Sequence, residues 1–110
     1  MALKTVDNPR IAKMVRQIHE VTIPPLCTKT GNPVKGSKLA IAYSPGAKLL
    51  EVYSLTEYIA SFVGSNDVRD IEQLAQTVAR DCAEVLGVKV SVIGKFVLNI
   101  GQTVICECRS

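Results

Sequence analysis

A chain of 110 residues, 47% hydrophobic and 21% charged, suits one domain with a core large enough to fold without staples, and it is not the composition of a disordered chain. A net charge of +3 permits contact with phosphate without requiring it. No apolar run approaches the roughly 20 residues that a helix needs to cross a bilayer, and M-A-L-K-T-V-D-N-P has no signal-peptide pattern, so the expected setting is the cytoplasm, or a host's cytoplasm if the chain is viral.

The first segment reads two ways. Asn8-Pro9 resembles a helix N-cap followed by proline, and Ile11, Met14, Val15 and Ile18 recur at helical spacing. Val15 to Ile23 also carries β-branched residues and stops at Pro24-Pro25, as a strand does. Local pattern alone favours the helix. P-P-L-C-T-K-T-G-N-P, Pro24 to Pro33, then places Cys27 in a turn, where it is either a small buried hydrophobe or a displayed nucleophile. Lys29, Lys35 and Lys38 surround it and read as a solvated loop in preference to a phosphate site.

Lys38 to Tyr43 is an apolar run ended by Ser44-Pro45-Gly46, hence a strand and a turn. Ser54-Leu55-Thr56-Glu57 has the form of a capping box, and Leu55, Tyr58, Ile59 and Phe62 predict a helix from about Leu55 to Val63. Gly64-Ser65-Asn66-Asp67 breaks it and offers new caps. A longer helix follows on the stripe Ile71, Leu74, Ala75, Val78, Cys82, Val85 and Leu86, with Gly87 placed to end it. Cys82 belongs to that stripe and is assigned to the core. Val88 to Leu98, the turn Asn99-Ile100-Gly101 and Thr103 to Cys108 form a terminal hairpin.

There is no repeat or linker, so residues 1–110 are one domain. With the first segment as a strand, the order is ββααββ: an α+β domain of two antiparallel hairpins with both helices on one face. Four strands leave two open edges, which association into a larger barrel would satisfy. Four cysteines without a signal peptide point to reduced thiols. Their spacing contains no C-x-x-C, and His19 is the only histidine, so no metal site is expected. His19 itself reads as a strand residue.

Several stretches together resemble the 7-cyano-7-deazaguanine reductases, the QueF family. Cys27-Thr28-Lys29-Thr30-Gly31-Asn32-Pro33 is similar to that family's cysteine followed by a T-G-x-P turn, and Tyr43-Ser44-Pro45 to its Y-x-P strand end. Glu51, Ser54-Leu55, Tyr58 and Ser61-Phe62 are similar to its glutamate followed by S-L-K-x-Y-x-x-S-F. Glu72 falls on its base-binding glutamate, and Gly94-Lys95-Phe96 on its G-K-F. The resemblance covers Val15 to Phe96 and implies the tunnel fold: ββααββ units assembled into oligomeric barrels, a homo-oligomer with sites between subunits. It also implies that the first segment is a strand. Cys27 would be the catalytic residue. Glu72 would bind the substrate by accepting N1–H and the 2-amino group of a 7-deazaguanine, with Glu51, Val34 and Ser54 beside it. The partner is a 7-deazaguanine base or nucleotide, with nucleic acid as a further partner where the base sits in a polymer. A thiolate is required for attack, so Cys27 should be partly exposed near positive charge such as Lys29.

The departures are informative. Tyr53 and Thr56 stand where the family carries NADPH-binding lysines, so no cofactor is expected. Val34 stands where it carries the aspartate that protonates the nitrile nitrogen, and Ile71 where it carries a histidine. An aspartate at 34 would repel a substrate carboxylate, whereas valine would desolvate it. The expected activity is therefore decarboxylation of 7-carboxy-7-deazaguanine in a DNA-modification pathway, with Cys27 as proton donor. The alternatives are an amidinotransferase or reductase acting on the nitrile through a Cys27 thioimide, and a non-catalytic deazaguanine-binding module. Modest charge and four cysteines are the reverse of the thermophile bias that the archaeal amidinotransferases would carry.

Overall fold

Alternation of inward and outward side chains, rather than helical spacing, governs the first half of the chain. The computed structural model describes residues 3–65 and 70–110. Its elements are β1 (Thr5–Asp7), β2 (Gln17–Thr22), β3 (Lys38–Tyr43), β4 (Lys48–Leu50), α1 (Val52–Ala60), α2 (Ile71–Leu86), β5 (Val90–Leu98) and β6 (Gln102–Arg109). The local preference for a helix near Asn8-Pro9 is thereby corrected. Asn8 is an anchor instead of a cap: its N–H donates to Ala47 O at 2.9 Å and its Nδ2 to Gly46 O at 3.0 Å. Held against the β3–β4 turn, residues 8–16 have no apolar surface on which a helix could pack, and Ile11 is 94% exposed.

The main sheet is antiparallel throughout, in the order β2-β3-β5-β6. It pairs Gln17 with Tyr43, Tyr43 with Val90 and Ser91 with Arg109. A short ladder of β1 on β4, foreseen by no sequence signal, closes the N-terminus over the start of α1. The α+β class, the two hairpins and the helical pair between them stand as expected. Leu39, Ile41, Val92 and Phe96 of the sheet meet Leu55 and Ile59 of α1 and Leu74, Val78 and Cys82 of α2, all buried. α2 lies over β5 and β6.

The predicted capping box is displaced by one turn. Glu51, not Ser54, is the N-cap of α1, its carboxylate accepting the N–H groups of Tyr53 at 2.7 Å and Ser54 at 2.8 Å. Apolar spacing placed the start at Leu55 because Val52 and Tyr53, the first helical residues, are exposed and contribute nothing to the stripe. Ser54 is buried: its hydroxyl donates to Glu51 O at 3.1 Å and accepts Lys4 N–H at 3.0 Å, tying the N-terminal segment to the helix. Of the predicted break, Asn66 and Asp67 lie outside the described residues. Asp70 caps α2 and Gly87, at φ 71°, ends it.

Candidate active site around Cys27

The tight turn Cys27–Asn32 is closed by its own backbone. The N–H groups of Leu26 and Cys27 both donate to Asn32 O at 3.0 Å, and Gly31 N–H donates to Cys27 O at 2.8 Å. Gly31 takes φ 72°, which a side chain would resist, and the Asn32–Pro33 peptide is cis. Two other elements hold the turn from outside. Gly64, beyond the end of α1, donates its N–H to Leu26 O at 3.0 Å. The β5–β6 turn meets Thr30 and Asn32 through Asn99.

Cys27 is half-exposed, and its thiol pKa is held below the ordinary value. The first cause is a hydrogen bond from the Thr30 hydroxyl, followed by the backbone N–H groups of Thr30 and Lys29, with the Lys29 charge last. The cation expected from sequence to activate the thiol is thus the smallest contributor, and a donor cradle is the larger. The other three thiols move the opposite way. Burial within the core raises Cys82 to about 12, and burial against α2 raises Cys106 and Cys108, which lie on the inner face of β6.

Val34 is half-buried beside this turn. Its N–H donates to Val97 O at 2.7 Å, and its carbonyl accepts the Ser37 hydroxyl at 2.8 Å. Ser37 in turn accepts Val97 N–H at 2.8 Å, so the loop after the turn is stitched to the end of β5. Thr30, Asn32 and the loop that follows, all C-terminal to Cys27, are therefore registered against the same hairpin.

The remaining expected site residues lie elsewhere. Glu51 and Ser54 are engaged in starting α1, and the carboxylate of Glu51 is held below its usual pKa by the two N–H groups it caps. Tyr53 and Thr56 are exposed on the same helix. Glu72 is exposed in the first turn of α2, near enough to Cys106 for its charge to raise that thiol. No described contact joins Glu72 to the Cys27 turn. The site residues that sequence reasoning missed are Thr30, Asn32 and Asn99. Only their turn-forming types were visible, and nothing in them says that two turns 67 residues apart are bonded together.

His19 lies on the inner side of β2, stacked on Tyr43 at 5.7 Å between ring centroids. Its Nε2 is 3.0 Å from the Tyr43 hydroxyl, which also accepts Leu50 N–H at 2.9 Å. This is a link between strands, as the strand reading of His19 supposed. A separate open pocket of about 600 Å³ is bordered by Asn8, Arg10, Met14, Ser44 and Pro45, and by none of the expected site residues. Among the described residues no three metal-ligating side chains cluster, and no helix is long and apolar enough to cross a membrane. Comparison of the chain with protein-family models and with curated proteins returns no match.

Proposed function

We propose that this protein processes the C7 substituent of a 7-deazaguanine without NADPH, by decarboxylating 7-carboxy-7-deazaguanine at a site centred on Cys27. One observation carries the reading: Cys27 stands partly exposed in a turn closed by its own backbone, where Thr30 and Lys29 hold its thiol low while burial raises the other three. Donors that stabilise a thiolate also ease proton donation by the thiol, because they stabilise what remains once the proton has left. In the reaction, ring C7 takes the proton from Cys27, the bond to the carboxylate breaks, its electron pair returns to the ring and carbon dioxide leaves. Water then reprotonates the thiolate. Val34, apolar and half-buried on the same loop, suits a carboxylate that reacts faster when desolvated. Glu72, exposed in the first turn of α2, is the group proposed to accept the guanine N1–H and 2-amino donors. Because no described contact joins Glu72 to the Cys27 turn, the complete site is proposed to form between subunits of a homo-oligomeric barrel.

The same low thiol favours a second reading, attack of the Cys27 thiolate on the nitrile carbon of 7-cyano-7-deazaguanine to give a thioimide. Incubation with each base separates the two. Release of carbon dioxide from the carboxy base, abolished in Cys27→Ala, is the expected result. A covalent mass adduct with the cyano base, and no turnover of the carboxy base, would replace the first reading by the second. Tight binding of either base with no chemistry would show a binding module.

A further inference from the structure

The hydrogen bonds that close the Cys27 turn leave the side chain of Asn32 free to face outward, and it is met there by one residue of another element. Asn32 Nδ2 donates to Asn99 Oδ1 at 3.0 Å, Asn99 N–H donates to Asn32 Oδ1 at 2.9 Å, and Asn99 Nδ2 donates to Thr30 O at 2.9 Å. Asn99 opens the three-residue turn between β5 and β6, whose last residue, Gly101, takes the positive φ that such a turn requires. Its donors and acceptor are thus presented by a hairpin that is itself part of the main sheet.

We propose that Asn99 is a positioning residue for Cys27: by fixing the Thr30 carbonyl and the Asn32 amide from the β5–β6 turn, it keeps the Thr30 hydroxyl and N–H directed at the Cys27 sulfur. The inference rests on Cys27 being the reacting group. Within its own segment the turn is closed only by short-range backbone bonds and by a 3.3 Å contact from Asn32 N–H to the Thr30 hydroxyl. With Gly31 as its neighbour, the Thr30 peptide has conformational freedom that those bonds do not remove. The amide of Asn99 removes it. Thr30 matters because its hydroxyl and N–H are the first causes that hold the Cys27 thiol below the ordinary value.

The test needs no deazaguanine, so it succeeds or fails independently of the proposed reaction. The pH profile of Cys27 alkylation by iodoacetamide is measured on the whole chain, with each cysteine followed by peptide mass spectrometry. In Asn99→Ala the profile moves to higher pH and the rate at neutral pH falls about three- to tenfold, the factor set by weakening one charge-assisted hydrogen bond. Cys106 and Cys108 act as internal references and keep their rates. Asn99→Asp retains the acceptor for Asn32 but loses the donor to Thr30, so it slows Cys27 as well; it also carries the test should Asn99→Ala not fold. In a Thr30→Val background, which removes the hydroxyl and keeps the N–H, Asn99→Ala slows the thiol by less than it does in the unaltered chain. An unchanged Cys27 profile in either folded Asn99 variant, or additive effects with Thr30→Val, would overturn the proposal.

Discussion

At the scale of single residues, direction of thiol shift separates Cys27 from its three counterparts. Iodoacetamide at neutral pH should modify Cys27 first, with Cys82 last because it is fully buried and its pKa stands near 12. Peptide mapping over a time course checks the order, and preferential labelling of Cys106 or Cys108 would contradict it. His19 gives a second test. Burial holds its imidazole pKa below 6.5, so the unfolded chain takes up that proton at higher pH than the folded one. Its contribution is complete above pH 6.5 and is lost as pH falls through the folded value. The melting temperature should therefore drop as pH is lowered across this window, and less so in His19→Gln. Glu51 acts in a lower window, below 4.5, because its pKa is also depressed and its capping bonds survive until it is protonated. A flat pH profile above 4.5 would show that His19 is not coupled to folding.

Individual elements are fixed by a few contacts that spacing does not announce. Gly94 of β5 lies under the ring of Phe96, two residues along the same face, and a Cβ there would be driven into that ring and to 3.3 Å from Leu39 Cδ2. Phe96 is fully buried and cannot swing out. Gly94→Ala should therefore cost about 1–3 kcal/mol in urea unfolding, the usual penalty for overpacking a core. A cost near zero would mean that the ring has room to move. The two helices are joined by another buried contact: the Tyr58 hydroxyl donates to Asp81 Oδ2 at 2.7 Å, while Arg80 Nε donates to Oδ1 at 3.1 Å. Burial and the Asp81 carboxylate push the Tyr58 pKa upward, so the phenol keeps its proton. Tyr58→Phe leaves the carboxylate with the Arg80 donor alone and should lower stability by about 1–3 kcal/mol. Asp81→Asn added to Tyr58→Phe should recover part of that loss, since no charge is then stranded.

For the whole molecule, the face of the sheet opposite the helices is the feature left over. Glu20, Ala40, Ile93 and Glu107 form one row across the four strands, with Ile18 and Ile105 also exposed on the outer strands. β2 and β6 each have one side without a strand partner among the described residues. Apolar residues on an open sheet with two free edges favour association. Sedimentation should accordingly give a particle larger than the 11.9 kDa chain, and Ile93→Lys should shift it toward the monomer. A wild-type chain that sediments as a monomer at micromolar concentration would remove the basis for a site between subunits.

Sequence by itself determined the elements whose signals are local and periodic. The stripe of α2 and its Gly87 stop, the terminal hairpin with its Asn99-Ile100-Gly101 turn, the strand Lys38–Tyr43 and the burial of Cys82 all follow from spacing and turn chemistry. Tertiary structure decided what depends on partners distant in the chain. Gln17–Thr22 is a strand because β3 supplies its hydrogen bonds, against a helical spacing whose apolar face had nothing to pack on. α1 starts directly after Glu51 because that carboxylate accepts the N–H groups of Tyr53 and Ser54 in its first turn. Cys27 could be read as a turn cysteine from its neighbours alone. The donors that lower its thiol belong to Thr30 and Lys29, and the anchor that registers Thr30 is Asn99, 69 residues along the chain, which only chain folding could bring beside it.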